Sequence, residues 1–563
     1  MRASVQVILI LGLSVLAYLG GQLYFFRIDL TEDKRYTLSE GTRSLLQHLP
    51  QATYITVYLE GDFPYPIQRY KRAIETLLAE MRAISPKPLN FTFVNPAKHP
   101  DVIKLFKQRG VQPIPINVRV SQTETRRQYM YPIAVVQCGQ QDIWVDLVKG
   151  NLRSTGEIDL LEAEQEVEYK IAAALRQITV YGEKPILGLL TRHGEYSLEQ
   201  MPQLKAELER YYRLLPVSLR EGQAIAPAKA YLPDSLRRRL VGEGFAAIIV
   251  IGPESAFTER EKYELEQYLL RGGRILWLLD YHRINLTEGS ALTQLRELNI
   301  DDLFFRWGWR PAYDLVQDLS CGHIEVIRGY YHGPLWGAEK WLYYPVVYIF
   351  PSHPITRTVD AVMYRYASSL DTIFRAGLRH TILAVTSPFS RSVKGTQLID
   401  INLTLKNPPA PEAFKGKGFR PVAVLTEGYF ESVFQDREPP TDNYAPKPPT
   451  ARYLPRSGLV GKAIWITDGE FALPAEVQGR FADYVPLDNL TFILNCIDYL
   501  TGEIALTQVR SRSIQLRRLD PAFVRAHALS IQVFNLGLPI FLMIGVGVGF
   551  YFWRKHRYAK PLV

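Results

Sequence analysis

The sequence predicts an α/β protein whose soluble domains lie between two apolar segments, one near each end of the chain. Three observations lead to this prediction. Short apolar strands alternate with amphipathic helices, residues 5–26 and 533–553 each have the length of a bilayer-spanning helix, and neither segment contains Asp, Glu, Lys or Arg. We therefore expect a membrane anchor at residues 1–26 and a transmembrane helix at residues 533–553. The roughly 500 residues between them exceed one hydrophobic core, so two or three domains are expected.

Positive charges directly follow the second apolar segment, in a short tail at residues 554–563. The tail contains Arg554, Lys555, Arg557 and Lys560. A cluster of cations beside a span stays in the cytoplasm because moving it across the bilayer is costly. Two spans would then place both termini in the cytoplasm and export the middle of the chain. A cleaved signal peptide is the alternative for the first segment, but no small-residue cleavage site follows it.

Charge and cysteine content exclude several classes of function. The formal net charge is +9, but five of the positive charges are Arg2 and the four of the C-terminal tail, which leaves +4 for the rest. This charge is too small to indicate a nucleic-acid partner. Cys138, Cys321 and Cys496 have no paired spacing, so neither a disulfide framework nor a metal site is expected.

Residues 27–156 are predicted to form a thioredoxin-like domain. Ser39 is the expected N-cap of a helix that precedes the first strand. The later strands and helices are expected at residues 54–59, 66–84, 89–94 and 101–109, followed by three strand-like runs up to residue 148. Ile114-Pro115 stands where this fold usually carries a cis-proline. Redox activity is not expected because no Cys-x-x-Cys follows the first strand.

A bridging helix at residues 157–178 is followed by a second domain at residues 179–532. Its apolar strands alternate with helices, which predicts a parallel sheet covered on both faces, of the flavodoxin or Rossmann type and similar to glutamine amidotransferases. Strands are expected at residues 185–190, 214–219, 245–251, 273–279, 381–386, 422–426 and 463–467, with helices at 198–211 and 258–271. The gap before the later strands predicts long insertions. Residues 437–456 are rich in proline and read as a disordered-type loop.

Polar residues follow three of the predicted strands and mark a candidate ligand or metal crevice. They are His193, Glu195, Asp280, Asp468 and Glu470. Ligands collect at the carboxyl ends of parallel strands, and imidazole and carboxylate groups bind several metals. The alternative is that these residues form turns and that the histidine is satisfied by the backbone. No metal-type spacing is present, and we predict no metal or cofactor.

Catalytic motifs are absent from the sequence. No nucleophile elbow surrounds Cys321 or Cys138, and no segment matches the Walker A pattern of ATP-hydrolysing proteins. We therefore predict that the chain is not an enzyme and does not hydrolyse ATP itself.

Aromatic residues are concentrated in two segments outside the predicted strands. The candidate interaction surface consists of Phe304, Trp307, Trp309, Tyr330, Tyr331 and Trp336. Tyr and Trp are enriched at binding surfaces, but rings beside long loops also form small secondary cores. Both interpretations remain open from the sequence.

Several motifs, spread in order along the chain, resemble the GldG family, the G subunit of the gliding-motility-associated ABC transporter of Bacteroidota. They are RIDLTEDKRYTLS at residues 27–39, RHGE at 192–195, GGRILWLLD at 272–280, LVQD at 315–318, HPI at 353–355 and LRRLD at 516–520. Two departures are visible: Arg192 stands where the family usually has Gly, and Glu470 stands where Asp is usual after Asp468-Gly469.

The resemblance implies an auxiliary subunit, often labelled a substrate-binding protein, with a large periplasmic domain on the bacterial inner membrane. Its implied partners are a membrane permease and a cytoplasmic ABC ATPase, in addition to the lipid bilayer. An envelope protein or polysaccharide is the ligand class to consider, and nucleic acid is not. The alternatives are an anchored envelope hydrolase that uses His193, Glu195 and Asp468, or a purely structural scaffold.

Overall fold

The computed structural model describes residues 38–109, 111, 113–119, 125–139, 141–148, 160–179, 184–220, 225–229, 244–286, 289–357, 359–416, 418–435, 437–438, 440–441, 453–474, 476–477, 480–481, 488–502 and 528–558. The chain divides into two compact units, Met1–Ser513 and Ile514–Val563, and each is described by itself. Within the first unit, residues 38–179 have a main hydrophobic core and a small cluster around Leu45 and Ala172, and the described residues from 184 onwards build three others.

The N-terminal part of the first unit is a four-stranded mixed sheet with helices packed together beside it. Its elements are α1 Glu40–Gln47, β1 Thr53–Val57, α2 Tyr65–Ile84, β2 Leu89–Phe93, α3 Pro100–Gln108, β3 Ile114–Arg119, β4 Thr125–Met130, β5 Ile133–Cys138, β6 Gln141–Asp146 and α4 Leu160–Thr179. The strand order is β2-β1-β5-β6, with β1 parallel to β2 and the other pairs antiparallel. Strands β3 and β4 form a separate hairpin.

The predictions for this part of the chain have different outcomes. Ser39 is the N-cap of α1, since its side chain accepts a hydrogen bond from the backbone N–H of Thr42, as predicted. No described peptide bond is cis, so Pro115 does not supply the predicted cis-proline. The helix expected to bridge two domains, α4, buries Val167 and Ile171 in the N-terminal core. The thioredoxin-like assignment itself stays a prediction.

A seven-stranded sheet is the centre of the second part, in the order β20-β23-β24-β10-β9-β7-β8. Its strands and flanking helices are β7 Ile186–Leu190, α5 Pro202–Tyr211, β8 Arg213–Val217, β9 Ala247–Ile251, α6 Glu259–Leu270, β10 Arg274–Leu278, β20 Leu378–Val385, β23 Pro421–Gly428, β24 Gly461–Ile466 and α9 Asn489–Thr501. Separate buried clusters cover the two faces, because the side chains of each strand alternate between them.

This sheet is mixed, although a parallel sheet is predicted. Five neighbouring strands from β24 to β8 are parallel, whereas β23 is antiparallel to both β24 and β20. No helix is described between β23 and β24, and a strand pair without a crossover helix returns antiparallel. The parallel part nevertheless aligns the carboxyl ends of β7, β9, β10 and β24 along one edge.

The predicted insertion separates β10 from β20 and continues to β23. Its elements are β11 His282–Arg283, β12 Ser290–Leu292, β13 Gln294–Leu295, α7 Asp301–Arg306, β14 Trp309–Pro311, β15 Asp314–Asp318, β16 Cys321–Tyr330, β17 Pro334–Val347, β18 Val362–Met363, β19 Leu370–Thr372, β21 Ser390–Lys394, β22 Leu398–Asp400 and α8 Ile401–Lys406. The longest feature is the hairpin of β16 and β17. Most of the proline-rich loop at residues 437–456 lies outside the described residues.

The second unit contains one described helix, α10 Ala528–Tyr558. Among the described residues, Gly537–His556 alone has the length and composition of a membrane span, and one such helix is weak evidence by itself. The apolar segment at residues 5–26 and the tail residue Lys560 lie outside the described residues. The number of spans and their orientation stay predictions.

Candidate functional site

The predicted crevice residues lie at the carboxyl ends of three strands of the seven-stranded sheet. Strand β9 separates β7, which leads to His193, from β10, which leads to Asp280. Strand β24, which leads to Asp468, is the direct neighbour of β10. This order divides the five predicted residues into two clusters with different partners.

The histidine cluster consists of His193, Glu195, Phe257 and Glu261. The His193 side chain is fully buried, with Nδ1 3.1 Å from Oε1 of Glu195 and Nε2 3.1 Å from Oε2 of Glu261. Its ring stacks on Phe257 with a centroid separation of 4.2 Å. Both ring nitrogens therefore lie within ion-pair distance of protein carboxylates.

The electrostatics of this cluster favour the charged pair. Burial lowers the pKa of His193, but the hydrogen bonds with Glu195 and Glu261 outweigh burial, so the pKa is raised above its ordinary value. Burial raises the pKa of Glu261, and the bond with His193 outweighs that effect and lowers it. Both shifts favour an imidazolium–carboxylate ion pair over the neutral pair.

The local sequence at the start of α6 explains why the Glu261 carboxylate lies beside His193. Thr258 and Glu261 form a capping box at the start of α6: the backbone N–H of Glu261 donates to the Thr258 hydroxyl, and that of Thr258 donates to the Glu261 carboxylate. Because this carboxylate also contacts His193, the cluster joins the loop after β7 to the first turn of α6.

The aspartate cluster consists of Asp280, Arg296, Arg365, Asp468 and Glu470. The backbone N–H of Gly469 donates to Oδ1 of Asp280 at 2.8 Å. Oδ1 of Asp468 accepts from the backbone N–H of Glu470 at 2.8 Å, and Oδ2 accepts from that of Arg365 at 2.6 Å. Backbone donors therefore hold both buried aspartates.

Gly469 is required by close packing between the two strand-end loops. A Cβ atom at this position would lie 2.6 Å from Oδ2 of Asp280 and 2.8 Å from Cα of Gly252. Any side chain would force the loops apart, because the neighbouring Gly252 backbone has no freedom to move away.

Burial opposes ionisation of both aspartates. Burial raises the pKa of Asp280 to about 7, and burial together with the charge of Asp280 raises the pKa of Asp468 well above its ordinary value. The nearest guanidinium contacts are long: Nη1 of Arg296 is 3.6 Å from Asp280, and Nη1 of Arg365 is 3.9 Å from Glu470. The charge of Arg296 lowers the pKa of Asp280 and that of Arg365 lowers the pKa of Asp468, but burial outweighs both effects.

The two clusters are neighbours at one edge of the sheet, and Glu254 contacts a residue of each. The carbonyl oxygen of His193 accepts from the backbone N–H of Glu254, whose side chain lies 3.5 Å from Arg296. The Tyr196 hydroxyl donates to Glu470 at 3.3 Å. The hydrolase hypothesis needs His193 and Asp468 at a common point, and their contacts assign them to different groups.

The metal hypothesis finds no support in the described part of the chain, where no group of three or more His, Cys, Asp and Glu side chains is arranged to hold an ion. The carboxylates instead bind backbone N–H groups and His193, which is what a structural role requires.

The six residues of the predicted aromatic surface fall into a buried group and an exposed group. Phe304, Trp307 and Trp309 are fully buried under the sheet, so the prediction that they form an interaction surface is wrong for these three. Their rings pack edge to face and tilted against each other and against Trp465. Tyr330, Tyr331 and Trp336 are exposed on the long hairpin.

Sequence reasoning missed Glu261, Arg296 and Arg365. The Thr-x-x-Glu capping box was a signal for Glu261, since it places a carboxylate at a helix start near the sheet edge. Arg296 and Arg365 come from the insertion, where no pattern connects them to the strand ends. Only the folded chain brings them there.

Two families match the chain. The ABC transporter auxiliary family, described as an ABC-type uncharacterized transport system, matches residues 184–496, which include both clusters. A family described as a domain of unknown function matches residues 32–137. No curated protein matches the chain. Among solved structures, the mmIFT52 N-terminal domain is similar over 56% of this chain and 97% of its own, at 13% identity and a TM-score of 0.30, a level that carries no argument. The match at residues 184–496 covers more than half of the chain, and the chain therefore belongs to the ABC transporter auxiliary family.

Proposed function

We propose that this protein is a non-catalytic auxiliary subunit that works with the membrane permease and the cytoplasmic ATPase of an ABC transporter. The family match over residues 184–496 is the observation that carries the proposal. The sequence has no Walker A motif, so the energy of ATP hydrolysis comes from a partner. The subunit would transmit conformational change or engage an envelope substrate.

The site geometry supports a role without chemistry. Both ring nitrogens of His193 lie beside carboxylates, and Oδ1 of Asp280 and both carboxylate oxygens of Asp468 accept backbone hydrogen bonds. A general base needs a free nitrogen or oxygen directed at a substrate. The two clusters instead fix the loops that follow β7, β10 and β24.

The finer assignment is to the GldG family, linked to gliding motility and envelope export. The ordered motifs from residue 27 to residue 520 support it. In this proposal the domains are those predicted from the sequence, a thioredoxin-like and an amidotransferase-like domain in the periplasm, tethered by residues 1–26 and 533–553. The composition of Gly537–His556 supports the second tether.

Co-purification tests the partnership. The full-length chain, tagged at its N-terminus, is extracted in mild detergent, and the eluted proteins are identified by mass spectrometry. We expect a multi-span permease and a Walker A subunit in fixed ratio to the chain. As a control, a variant in which α10 is replaced by a polyleucine helix of equal length keeps an anchor but lacks the specific docking surface. Recovery of the chain alone, while a permease–ATPase complex stays intact in the same extract, would refute the proposal.

Cysteine labelling tests the compartment. Cys138 and Cys496 are buried, so Cys321→Ser leaves a background in which Phe374→Cys and His556→Cys can be compared. A membrane-impermeant maleimide should label Phe374→Cys once the outer membrane is permeabilised. It should label His556→Cys only after the inner membrane is broken. The reverse pattern would place the large domain in the cytoplasm and overturn the proposed location.

A further inference from the structure

The hairpin of β16 and β17 has a buried base and an exposed end. Trp341 and Tyr343 of β17 lie in a small core with Leu315 and Ile399. Beyond them the hairpin has apolar side chains open to solvent, which we call the arm tip: Ile327 (44% exposed), Tyr330 (77%), Tyr331 (74%), Leu335 (50%) and Trp336 (38%). Exposed apolar groups concentrated at one place indicate an interaction site.

Pairing of the strands places apolar side chains on both faces of the hairpin end, because Leu335 and Trp336 are consecutive in β17. Ile327 is opposite Trp336 across the antiparallel ladder, so their side chains are on the same face, and Leu335 is opposite Gly329. The backbone N–H of Tyr331 donates to the carbonyl of Gly333, which closes the turn. The arm tip is thus a defined surface of a hydrogen-bonded hairpin.

The end of the hairpin beyond Arg328, the ten residues from 329 to 338, contains no Asp, Glu, Lys or Arg. The nearest charges, Arg328 and Glu339, form an ion pair of 2.7 Å at the border of this segment. An apolar and aromatic surface bounded by charges matches the membrane–water interface, where Tyr and Trp place the ring in the lipid and the polar group in water.

We propose that the arm tip inserts into the head-group region of the lipid bilayer. This inference rests on the membrane tether in the proposed function. A stable protein interface buries about 800 Å² on each partner, more than five side chains on a two-stranded hairpin provide. Insertion into lipid needs no such area, because the tether keeps the local concentration of bilayer high. The arm would hold the large domain at a fixed distance from the membrane.

The test uses the full-length chain in proteoliposomes. An environment-sensitive dye is attached at Leu335→Cys in the Cys321→Ser background, which leaves the three aromatic side chains of the tip in place. Lipids brominated on the acyl chain near the head group should quench this dye, relative to unbrominated lipids. The same dye at Phe374→Cys, on the exposed body of the protein at 85% exposure, is the matched control and should not be quenched.

A second variant removes the three aromatic side chains of the arm tip and leaves the small core at the base of the hairpin unchanged. Tyr330→Ser, Tyr331→Ser and Trp336→Ser together should abolish quenching at residue 335, whereas Phe419→Ser, at another exposed aromatic, should not change it. Flotation of the chain with the liposomes reports the tether independently.

Flotation without quenching would overturn the arm proposal and leave the tether intact. No flotation and no quenching would overturn both. Protection of the dye only when the permease is included would show that the arm binds protein, and would overturn the bilayer proposal.

Discussion

Nε2 of His193 lies 3.1 Å from Oε2 of Glu261, and neither side chain is exposed to solvent. The contact joins the loop after the first parallel strand to the start of the helix after the third, at the carboxyl edge of the sheet. Loss of His193 would remove the shorter of two cation contacts of Glu261, since Nε of Arg220 lies 3.4 Å from its Oε1.

His193→Gln is therefore expected to destabilise this region by about 3 kcal/mol, because Glu195 and Glu261 lose their shared cation. Hydrogen exchange of residues 186–197 and 257–270 should report the loss locally. His99→Gln, at an exposed histidine, is the control and should have no effect. Equal protection in His193→Gln and wild type would show that the pair contributes no stability.

The same pair predicts a pH dependence of stability. The pKa of His193 is raised on folding, so its contribution is fully present below its unfolded pKa of about 6.5 and is lost as pH rises through the folded pKa. The pKa of Glu261 is lowered, so its contribution is lost as pH falls through the folded pKa. Protection factors, which correct hydrogen exchange for its intrinsic pH dependence, should be highest between these limits, and the alkaline loss should disappear in His193→Gln.

Arg192 has a backbone φ of +89°, a conformation that favours glycine, and the GldG-like motif has glycine there. Arg192→Gly should stabilise the folded chain by about 1 kcal/mol, since it relieves this strain. Thermal unfolding monitored by the fluorescence of a conformational dye would measure the gain. Arg192→Ala removes the same side chain but keeps a Cβ. An equal gain in both variants would assign the effect to the side chain rather than to the backbone.

Asp280→Asn should flatten the pH dependence of stability between about pH 4 and 7. Because burial raises the pKa of Asp280 to about 7, its contribution is fully present at acidic pH and is lost as pH rises through 7. Asparagine can still accept the hydrogen bond from Gly469 and never ionises. Asp371→Asn, at an exposed carboxylate paired with Arg310, is the matched control. A wild-type profile in Asp280→Asn would contradict the assignment.

Trp309→Ala should cost about 4 kcal/mol of stability, because it empties a buried site and removes a 2.7 Å hydrogen bond from the indole to Thr426. Tyr330→Ala should change stability by about 0.5 kcal/mol or less, since the ring is exposed. Chemical denaturation of both variants would measure the difference. Similar losses would mean that the two aromatic segments are not divided into core and surface.

The sequence by itself determined most helices and strands of the N-terminal part and of the central sheet, the cap at Ser39 and the return of the sheet after the insertion, but not the short strands of the insertion. These features depend on apolar periodicity and local hydrogen bonds, which neighbouring residues decide. Only the tertiary structure decided which strand-end residues meet. The chain order does not show that β9 lies between β7 and β10, and this position separates His193 from Asp280. Nor could composition distinguish the buried Trp309 from the exposed Tyr330, because burial depends on whether the folded chain packs the ring against the sheet.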